Sequence, residues 1–413
     1  MLRLGLLVAF AVLALAPAAD ASPYLRSGIQ DDAWLRYGPG TLEERLDELD
    51  RLGVDVVRYT IRWDEVEQRR GDPDWAPADA ILNGLRRHGI SPLVTLYGTP
   101  RWANGGRSPN WAPSSKWTFA GFARRAAQRY PFVRNWLIWN EPNQRRWLRP
   151  TSARVYVQRL LNPAYDAIHR QLRGAQVGGG VTAPRGAYRG ISPVAWMRSM
   201  DAARARLDAY AHNPYPLHPT DTPFAGGCGH CETITMAKLE RLLREVSRAF
   251  GDTRIWLTEY GYQTNPPDRV LGVSKERQAR HVGEAALRAY AAPRVDMLIH
   301  YLYRDEPEIA RWQSGLLTAS GAPKPALRAT QLPLAQVSRS GLRTVLWGRV
   351  RPGDGRQRYV LQQYRGGGWR AVGGMRMTSS RGHLSRVVRA GRGAKLRLWC
   401  PAQRVVSTIL VVG

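Results

Sequence analysis

The sequence predicts a barrel of eight parallel β-strands connected by helices, followed by a small β-sandwich. Short apolar runs alternate with longer amphipathic stretches about eight times between residue 28 and residue 330 or so. The runs are continuously apolar, which is typical of parallel strands buried on both faces. Beyond about residue 340 the pattern changes to period two with glycine-rich turns, which is typical of antiparallel strands. An open doubly wound sheet is the alternative, but no G-x-G-x-x-G motif follows the first strand.

The predicted elements follow one another regularly along the chain. The strands are 28–30, 54–59, 93–97, 133–139, 177–181, 207–211, 254–258 and 297–301, and the helices include 79–88, 117–130, 153–172, 236–250, 275–290 and a last one at 326–336. A chain of 413 residues exceeds the ~250 to 300 residues at which one hydrophobic core usually stops growing. We therefore expect two domains, a barrel over 22–336 and a separately folded sandwich over 337–413.

The first 21 residues have the pattern of a secretory signal peptide. Arg3 provides a short positive region, residues 4–15 are apolar, and Ala19-Asp20-Ala21 fits a small-residue cleavage site. The apolar run is shorter than the ~20 residues that a spanning helix needs, so cleavage is favoured over the alternative, a retained lipid anchor. With 44% hydrophobic and 23% charged residues, the rest of the chain is that of an ordinary soluble globular protein.

The formal net charge of +28 raises the question of a nucleic-acid partner. Of the 61 basic residues 56 are arginine, a bias spread over the whole chain, and an exported protein rarely meets nucleic acid, so we expect no nucleic-acid partner. A basic field would instead attract anionic polymers or lipid surfaces of a cell envelope. The charge is concentrated at the C-terminal end, because from Gly341 onward there are 15 Lys or Arg and a single acid, Asp354.

The chain has three cysteines, two of which are close in sequence. Cys228 and Cys231 lie in the segment GGCGHCE, and Cys400 stands alone. Behind a signal peptide, a small disulfide between Cys228 and Cys231 is the favoured interpretation. Zinc is the alternative, but a zinc site needs four ligands and only three, including His230, are visible here.

Two of the predicted strands end in a glutamate. Glu141 follows the fourth strand in the segment WNEPN, and Glu259 follows the seventh strand in the segment LTEYG. The active site of such a barrel lies at the C-terminal ends of its strands, so we expect these two carboxyls to face each other. Opposed carboxyls, one protonated and one ionised, are what glycoside hydrolysis requires. Pro142 biases Glu141 away from helical geometry, as suits a side chain held at a strand end.

Other polar and aromatic side chains at the strand ends are candidates for substrate binding. They are Asp31, Arg58, Trp63, Trp102, Asn140, His212, Tyr215, Tyr301 and Tyr303. Asp31 could equally belong to an N-terminal turn, and the tryptophans, with Trp111 and Trp117, could belong to the core as readily as to a sugar-stacking cleft. Arg58 alone could form a structural ion pair, and His212 alone could be an ordinary core or loop histidine.

Taken together, these segments resemble the retaining glycoside hydrolases of clan A, the cellulase and β-xylosidase-like barrels. The resemblance rests on WNEPN and LTEYG, with support from VVRYTIRWDEVEQRRG at the second strand, TPRWA at the third, HNPYP at the sixth and GLLTASGAPKPAL near the close of the barrel. It covers residues ~28 to 330. Each segment alone is weak, and their order and places at the strand ends make the resemblance specific.

The resemblance implies a role for each residue that matches the family's motifs. Glu141 would be the acid/base and Glu259 the nucleophile, with the two carboxyls ~5 to 5.5 Å apart. Asn140 would hold the sugar's 2-hydroxyl, and Arg58 would pair with the nucleophile and keep it ionised.

The same resemblance places one of His212 and Tyr215 near the nucleophile, without deciding between them. The chain also departs from the family at the eighth strand, which commonly supplies a tryptophan under the bound sugar. Here Tyr301 and Tyr303 stand in its place.

The leading hypothesis is therefore a secreted, monomeric retaining glycosidase that needs no cofactor or metal and acts on a polysaccharide or oligosaccharide. The alternative is an envelope-associated glycan-binding protein with little turnover, attached through its basic C-terminal domain. The sugar and the linkage are not predicted, because the same carboxyl pair serves many glycans in these barrels. The intact set of Arg58, Asn140, Glu141 and Glu259 favours the enzyme.

Overall fold

A computed structural model describes residues 22–187, 189–228, 231–351 and 355–413. The predicted signal peptide lies outside these residues and stays a prediction. Within the part of the chain that the structure describes, no helix combines the length and the apolar character needed to span a bilayer.

Eight parallel strands close into a barrel in the order in which they occur along the chain, which confirms the predicted fold. They are β1 (Arg26–Gln30), β2 (Val56–Arg62), β3 (Ser91–Tyr97), β4 (Asn135–Ile138), β5 (Gln176–Thr182), β6 (Ala209–His212), β7 (Arg254–Tyr260) and β8 (Val295–Tyr301). Large apolar side chains such as Leu137, Trp256 and Met297 fill the barrel interior and are fully buried. Because the strands are parallel, their C-terminal ends form one rim of the barrel, and this rim positions the candidate site.

Helices connect the strands and pack around them. They are α1 (Asp32–Tyr37), α2 (Leu42–Leu52), α3 (Trp63–Val66), α4 (Ala76–Arg87), α5 (Lys116–Arg129), α6 (Ala153–Tyr156), α7 (Asn162–Gln171), α8 (Pro193–Ala202), α9 (Leu239–Phe250), α10 (Lys275–Ala291) and α11 (Pro325–Gln331), with a π-helical turn (Val157–Leu161) joining α6 to α7. The sequence analysis did not predict α2. Thr41 and Glu44 form a capping box at its start, and Gly53 ends it in the left-handed conformation (φ 74°).

The last helix is shorter than the predicted segment 326–336. It ends at Gln331, and the chain enters a strand at Leu334, before the predicted domain boundary at 337. Pro333 explains the correction, because the residue before a proline is disfavoured in the helical region and the proline itself cannot continue the hydrogen-bond ladder. Leu332 and Leu334 then turn into the core of the second domain.

The C-terminal domain consists of antiparallel strands in two sheets. One sheet has three strands, β9 (Leu334–Ser340), β10 (Arg343–Arg349) and β14 (His383–Arg389); the other contains β11 (Arg358–Arg365), β12 (Gly368–Ala371), β13 (Arg376–Met377), β15 (Lys395–Cys400), β16 (Val405–Val406) and β17 (Leu410–Val411). Leu346 and Leu384 of the first sheet pack against Leu361 and Leu398 of the second. These facing apolar side chains make the domain a β-sandwich with its own core, as predicted.

The sandwich docks at the end of the barrel that is opposite the C-terminal ends of the strands. Trp347 of β10 packs with Ala286 and Leu287 of α10 in a shared apolar cluster. Arg349 donates to the Leu25 carbonyl (3.1 Å) and forms an ion pair with Asp55 (3.3 Å), just before β1 and β2 begin. The sandwich therefore lies at the N-terminal ends of these strands, opposite the rim that carries the candidate site.

Candidate active site

Glu141 leaves the end of β4 in an unusual backbone conformation. Trp139 and Glu141 have positive φ angles of 73° and 39°, which non-glycine residues seldom adopt. The Glu141 N–H donates to the Val181 carbonyl at 2.9 Å, and the Trp139 N–H donates to the Leu96 carbonyl at 2.9 Å. These bonds to both neighbouring strands fix the bend, so the Glu141 carboxyl points from a rigid turn rather than from a free loop.

Arg58 holds Glu259 from within the barrel. Its guanidinium is fully buried and donates to the Glu259 carboxylate and to the Thr258 carbonyl, at 2.7 and 3.0 Å. It also donates to the Thr95 hydroxyl at 3.0 Å and to the side-chain oxygen of Asn140 at 2.7 Å. A single planar guanidinium thus links β2 to β3, β7 and the turn after β4.

Asn213, which sequence analysis did not select, makes the second connection between the glutamates. Its amide nitrogen donates to Glu141 Oε1 at 3.1 Å, and its oxygen accepts from the Thr258 hydroxyl at 2.8 Å. Asn213 thus links the Glu141 carboxyl to the side chain of the residue before Glu259. On the other side, Arg58 links the Glu259 carboxylate to Asn140, the residue before Glu141. The two chains of bonds orient both carboxyls at one place on the rim.

The environments of the two glutamates differ in a way that separates their proton affinities. Burial raises the pKa of Glu141 to about 7, and the charge of Glu259 adds to the rise, against smaller opposing contributions from Asn213, Arg58 and Trp147. Burial also raises the pKa of Glu259, but the charge of Arg58 and hydrogen bonds from Tyr215 and Arg58 oppose that rise. Because only Glu259 has a direct ion pair, a proton shared by the two carboxyls resides on Glu141 near neutral pH.

An aromatic wall stands beside Glu259. The Tyr215 hydroxyl donates to Glu259 Oε2 at 3.1 Å, and its ring lies 4.9 Å from the ring of Trp312. Trp312 also meets Tyr301 edge-on at 5.6 Å and is 37% exposed. The loop after β8 therefore supplies a tryptophan that the strand itself lacks, and the two tyrosines pack against it.

His212 lies behind the site and not at the carboxyls. Burial lowers its pKa to about 4, so the imidazole is neutral at physiological pH. One ring nitrogen lies 2.8 Å from the Thr182 hydroxyl and the other 2.9 Å from the Ile234 carbonyl. In this position His212 fixes the chain that carries Asn213, and of the two residues left open by the sequence it is Tyr215 that contacts Glu259.

The predicted substrate contacts of Asp31 and Tyr303 are corrected by the structure. Asp31 caps α1 by accepting the Trp34 N–H at 3.0 Å, and it also accepts the N–H groups of Tyr303 and Arg304 at 3.1 and 3.0 Å. The Tyr303 ring is buried against Trp34, with ring centres 4.2 Å apart. Asp31 is thus a structural clamp between α1 and the loop after β8, and Tyr303 is part of the barrel wall.

The two tryptophan candidates after β2 and β3 have different surroundings. Trp63 is fully buried, stacks on Phe122 at 5.3 Å and donates to the Glu67 carboxylate at 2.7 Å. Trp102 is half-buried, donates to the Glu67 carbonyl at 2.8 Å and meets Trp63 edge-on at 5.4 Å. Trp63 therefore belongs to the core, contrary to its predicted role in binding, and Trp102 keeps one part of its surface accessible.

Trp147, in the loop after β4, is another residue that sequence analysis missed. Its side chain is within hydrogen-bonding reach of Glu141, and its ring meets Tyr97 edge-on at 5.6 Å. Tyr97 in turn packs on Trp139 at 4.7 Å. Trp147 therefore brings an indole ring next to Glu141, and Tyr97 packs against that ring.

Both cysteines of the predicted disulfide are free thiols in this structure. The Cys231 N–H donates to Cys228 Sγ at 3.1 Å. Partial burial raises the pKa of the Cys231 thiol, but hydrogen bonds from Cys228 and Thr233 outweigh it and lower the pKa. The predicted disulfide is therefore not formed here. His230, the third member of the alternative zinc set, lies outside the described residues.

Comparison with known proteins gives matches in structure and not in sequence. No protein family and no curated protein matches the chain. Three of the similar solved structures are a family 39 glycoside hydrolase from Bacteroides cellulosilyticus (16% identity, 95% of this chain and 82% of that chain, TM-score 0.60), a monomeric β-xylosidase from Caulobacter crescentus (15%, 92% and 96%, 0.57) and a glucosidase from Croceicoccus marinus (12%, 91% and 94%, 0.60). At these identities the likeness shows a shared fold, a barrel fold found in glycoside hydrolases.

Proposed function

We propose that the protein is a retaining glycosidase in which Glu141 is the acid/base and Glu259 the nucleophile. The observation that carries the proposal is the arrangement of these two carboxyls, of which Glu259 is buried and Glu141 partly buried. Arg58 links Glu259 to Asn140 beside Glu141, and Asn213 links Glu141 to Thr258 beside Glu259, yet of the two carboxyls only Glu259 has an ion pair. Such a pair supplies one protonated and one ionised carboxyl in one pocket, which is what double displacement needs.

In the first step, an oxygen of the ionised Glu259 forms a bond to the anomeric carbon. The bond from that carbon to the leaving oxygen breaks, and Glu141 transfers its proton to this oxygen. Arg58 keeps Glu259 ionised and holds it in place through Oε1. The carboxylate therefore remains a nucleophile, whereas a protonated carboxyl would not. Tyr215 holds the other oxygen, so the carboxylate has one orientation before the substrate binds.

In the second step, the roles of the acid and the base are exchanged. Glu141, now a carboxylate, removes a proton from water while the water oxygen forms a bond to the anomeric carbon, and the bond to Glu259 breaks. The product keeps the configuration of the substrate, Glu141 regains its proton and Glu259 returns to its ionised form. Asn140 uses its oxygen to accept from Arg58, which leaves its amide nitrogen to donate to the sugar's 2-hydroxyl.

The first test is a panel of aryl glycosides and polysaccharides with NMR detection of the anomer formed initially. We expect hydrolysis of at least one glycoside with retention of configuration, and the panel also identifies the sugar. Inversion would contradict the mechanism, and it would correspond to carboxyls more than ~6.5 Å apart. Binding without any turnover would instead support the alternative of a glycan-binding protein.

The pH dependence of kcat/KM should report both glutamates. We expect kcat/KM to fall as the pH rises through about 7, because Glu141 loses the proton that it must donate. It should also fall at low pH, where Glu259 becomes protonated and can no longer attack. The measurement is a profile on an aryl glycoside with a poor leaving group.

Replacement of the acid/base provides the control for this profile. Glu141→Ala should lose the alkaline limb when it is assayed on a dinitrophenyl glycoside, whose leaving group needs no proton. An alkaline limb that persists in Glu141→Ala would assign that limb to another group. On the poor leaving group the same variant should lose about 10²- to 10⁴-fold in rate.

Trp312 offers a test of where the sugar lies. Because its ring is partly exposed beside Tyr215, we expect Trp312→Ala to raise KM about ten-fold, or about 1.4 kcal/mol, with a small change in kcat. Trp312→Phe keeps a flat ring and should retain most of the affinity. An unchanged KM in Trp312→Ala, with an unchanged melting temperature, would place the sugar elsewhere.

Export as a monomer completes the proposal. Export rests on the signal-peptide pattern of residues 1–21, and N-terminal sequencing of secreted protein would test cleavage after Ala21. Size-exclusion chromatography with light scattering would test the monomer.

A further inference from the structure

The outer face of the larger sandwich sheet carries a cluster of aromatic and cationic side chains that the proposed active site does not use. We call it the outer-sheet cluster and define it by Tyr364, Trp369, Lys395, Arg397 and Trp399. Lys395, Arg397 and Trp399 alternate with the buried Leu396 and Leu398 along β15, and Tyr364 and Trp369 lie beside them on β11 and β12. The opposite face of the sheet forms the sandwich core, so the outer-sheet cluster faces solvent.

The cluster is held together by specific contacts. Arg397 lies over the Trp369 ring at 4.1 Å and donates to the side-chain oxygen of Gln362 at 2.8 Å. Tyr364 pairs with Trp369 across β11 and β12, with ring centres 5.4 Å apart, and Lys395 lies 5.9 Å from the Tyr364 ring. Contacts with rings and amides orient the two cations without neutralising them.

Further along the same strand, Trp399 extends the aromatic surface. It lies opposite Val360 on one side and Val406 on the other and is 37% exposed. At the rise of an antiparallel strand, Lys395 and Trp399 are ~13 Å apart. The cluster is therefore long enough to contact several successive units of an extended polymer.

The charge of the surrounding domain is one-sided. From Gly341 onward the chain has 15 basic residues and one acidic residue. Among the described residues, neither Lys395 nor Arg397 forms an ion pair with a carboxylate. Aromatic rings and unneutralised cations on one face of a sheet suit a ligand that offers both flat apolar faces and negative charges.

We propose that the outer-sheet cluster binds an anionic polysaccharide built of uronic acids. The apolar faces of the sugar rings would stack on Trp369 and Trp399, and the carboxylates would pair with Arg397 and Lys395. A polyuronate fits better than a polymer of glycerol phosphate, which has no ring to stack. The choice of a glycan over a nucleic acid rests on the proposed glycosidase function, whereas the site itself rests on the sandwich alone.

The binding experiment uses the full chain with Glu259→Ala, so that no ligand is consumed. Affinity electrophoresis would compare polygalacturonate with neutral xylan, poly(glycerol phosphate) and single-stranded DNA. We expect polygalacturonate to bind most tightly, and Trp369→Ala with Trp399→Ala to weaken it at least about ten-fold. Lys395→Gln with Arg397→Gln should also weaken it about ten-fold and flatten its salt dependence.

Matched variants on the other sheet control for charge alone. Arg343 and Arg389 are exposed and lie opposite each other on β10 and β14. Replacing both with glutamine removes the same charge as Lys395→Gln with Arg397→Gln and should change the affinity less than about two-fold. An equal loss of affinity in this control would mean that the cluster contributes only nonspecific electrostatic attraction, which would overturn the proposal.

The remaining outcomes also decide the proposal. Tighter binding of single-stranded DNA or of poly(glycerol phosphate) would overturn it in favour of that class, and equal binding of xylan would remove the role of charge. Lys395 is exposed and Arg397 partly exposed, so the charge variants should fold even where the tryptophan variants do not. All cluster variants with Glu259 intact should hydrolyse a small aryl glycoside at the unchanged rate, which separates this test from the test of catalysis.

Discussion

Glu259→Ala is expected to lower kcat for glycoside hydrolysis by a factor on the order of 10⁴ to 10⁶, because the covalent intermediate can no longer form. The variant should fold with reduced stability, because Arg58 keeps its bonds to Asn140, Thr95 and the Thr258 carbonyl but loses its counter-charge. The measurement is kcat on the best aryl glycoside of the panel, with circular dichroism as the check on folding.

Azide distinguishes the nucleophile from the acid/base. In Glu259→Ala, azide can enter the space of the missing carboxylate and attack the substrate directly, so the glycosyl azide should have inverted configuration. In Glu141→Ala, azide attacks the intermediate on Glu259 instead, and the product should have retained configuration. The opposite pair of stereochemical results would mean that the two roles are exchanged, and wild-type activity in Glu259→Ala would refute the proposed nucleophile.

Arg58→Met is expected to lower the free energy of unfolding by about 3 to 5 kcal/mol, because it leaves Glu259 charged and unpaired inside the barrel. The pKa of Glu259, which burial already raises above its ordinary value, should rise further when Arg58 is removed. The lost stability would then be largest at high pH and partly recovered as the pH falls and Glu259 is protonated. Urea denaturation at several pH values measures both effects.

A double variant shows whether the charge or the packing causes the loss. Arg58→Met with Glu259→Gln removes both charges and should be more stable than Arg58→Met alone at neutral pH. Arg58→Lys keeps a charge but cannot reach all the partners of the guanidinium, so it should have an intermediate stability. If the double variant were less stable than Arg58→Met, the ion pair would not be the main contribution of Arg58.

The barrel was predictable because parallel strands that are buried on both faces occur in the sequence as continuous apolar runs. Glu141 and Glu259 stood out for the related reason that a carboxyl directly after such a run is unusual. Helix α2 was missed although both of its signals are in the sequence, the capping box of Thr41 and Glu44 and the helical spacing of the leucines from Leu42 to Leu52.

The residues missed at the site come from loops, where spacing along the chain does not report proximity. Asn213 is next to His212 in the sequence, but only the closed barrel shows that it reaches Glu141. Trp312 approaches Tyr215 through the loop after β8. Trp63 illustrates the reverse error, since a tryptophan after a strand looks the same in sequence whether it packs inward or outward.

The interface between the two domains has a consequence for how the chain unfolds. Trp347 lies against Tyr290 at 5.2 Å and completes an apolar cluster with Ala286 and Leu287, and the sandwich follows α11 after only Leu332 and Pro333. Removal of the sandwich by a cut at residue 337 would uncover the side of α10. We therefore expect the barrel and the sandwich to unfold together in a single transition, which calorimetry of the full chain would test.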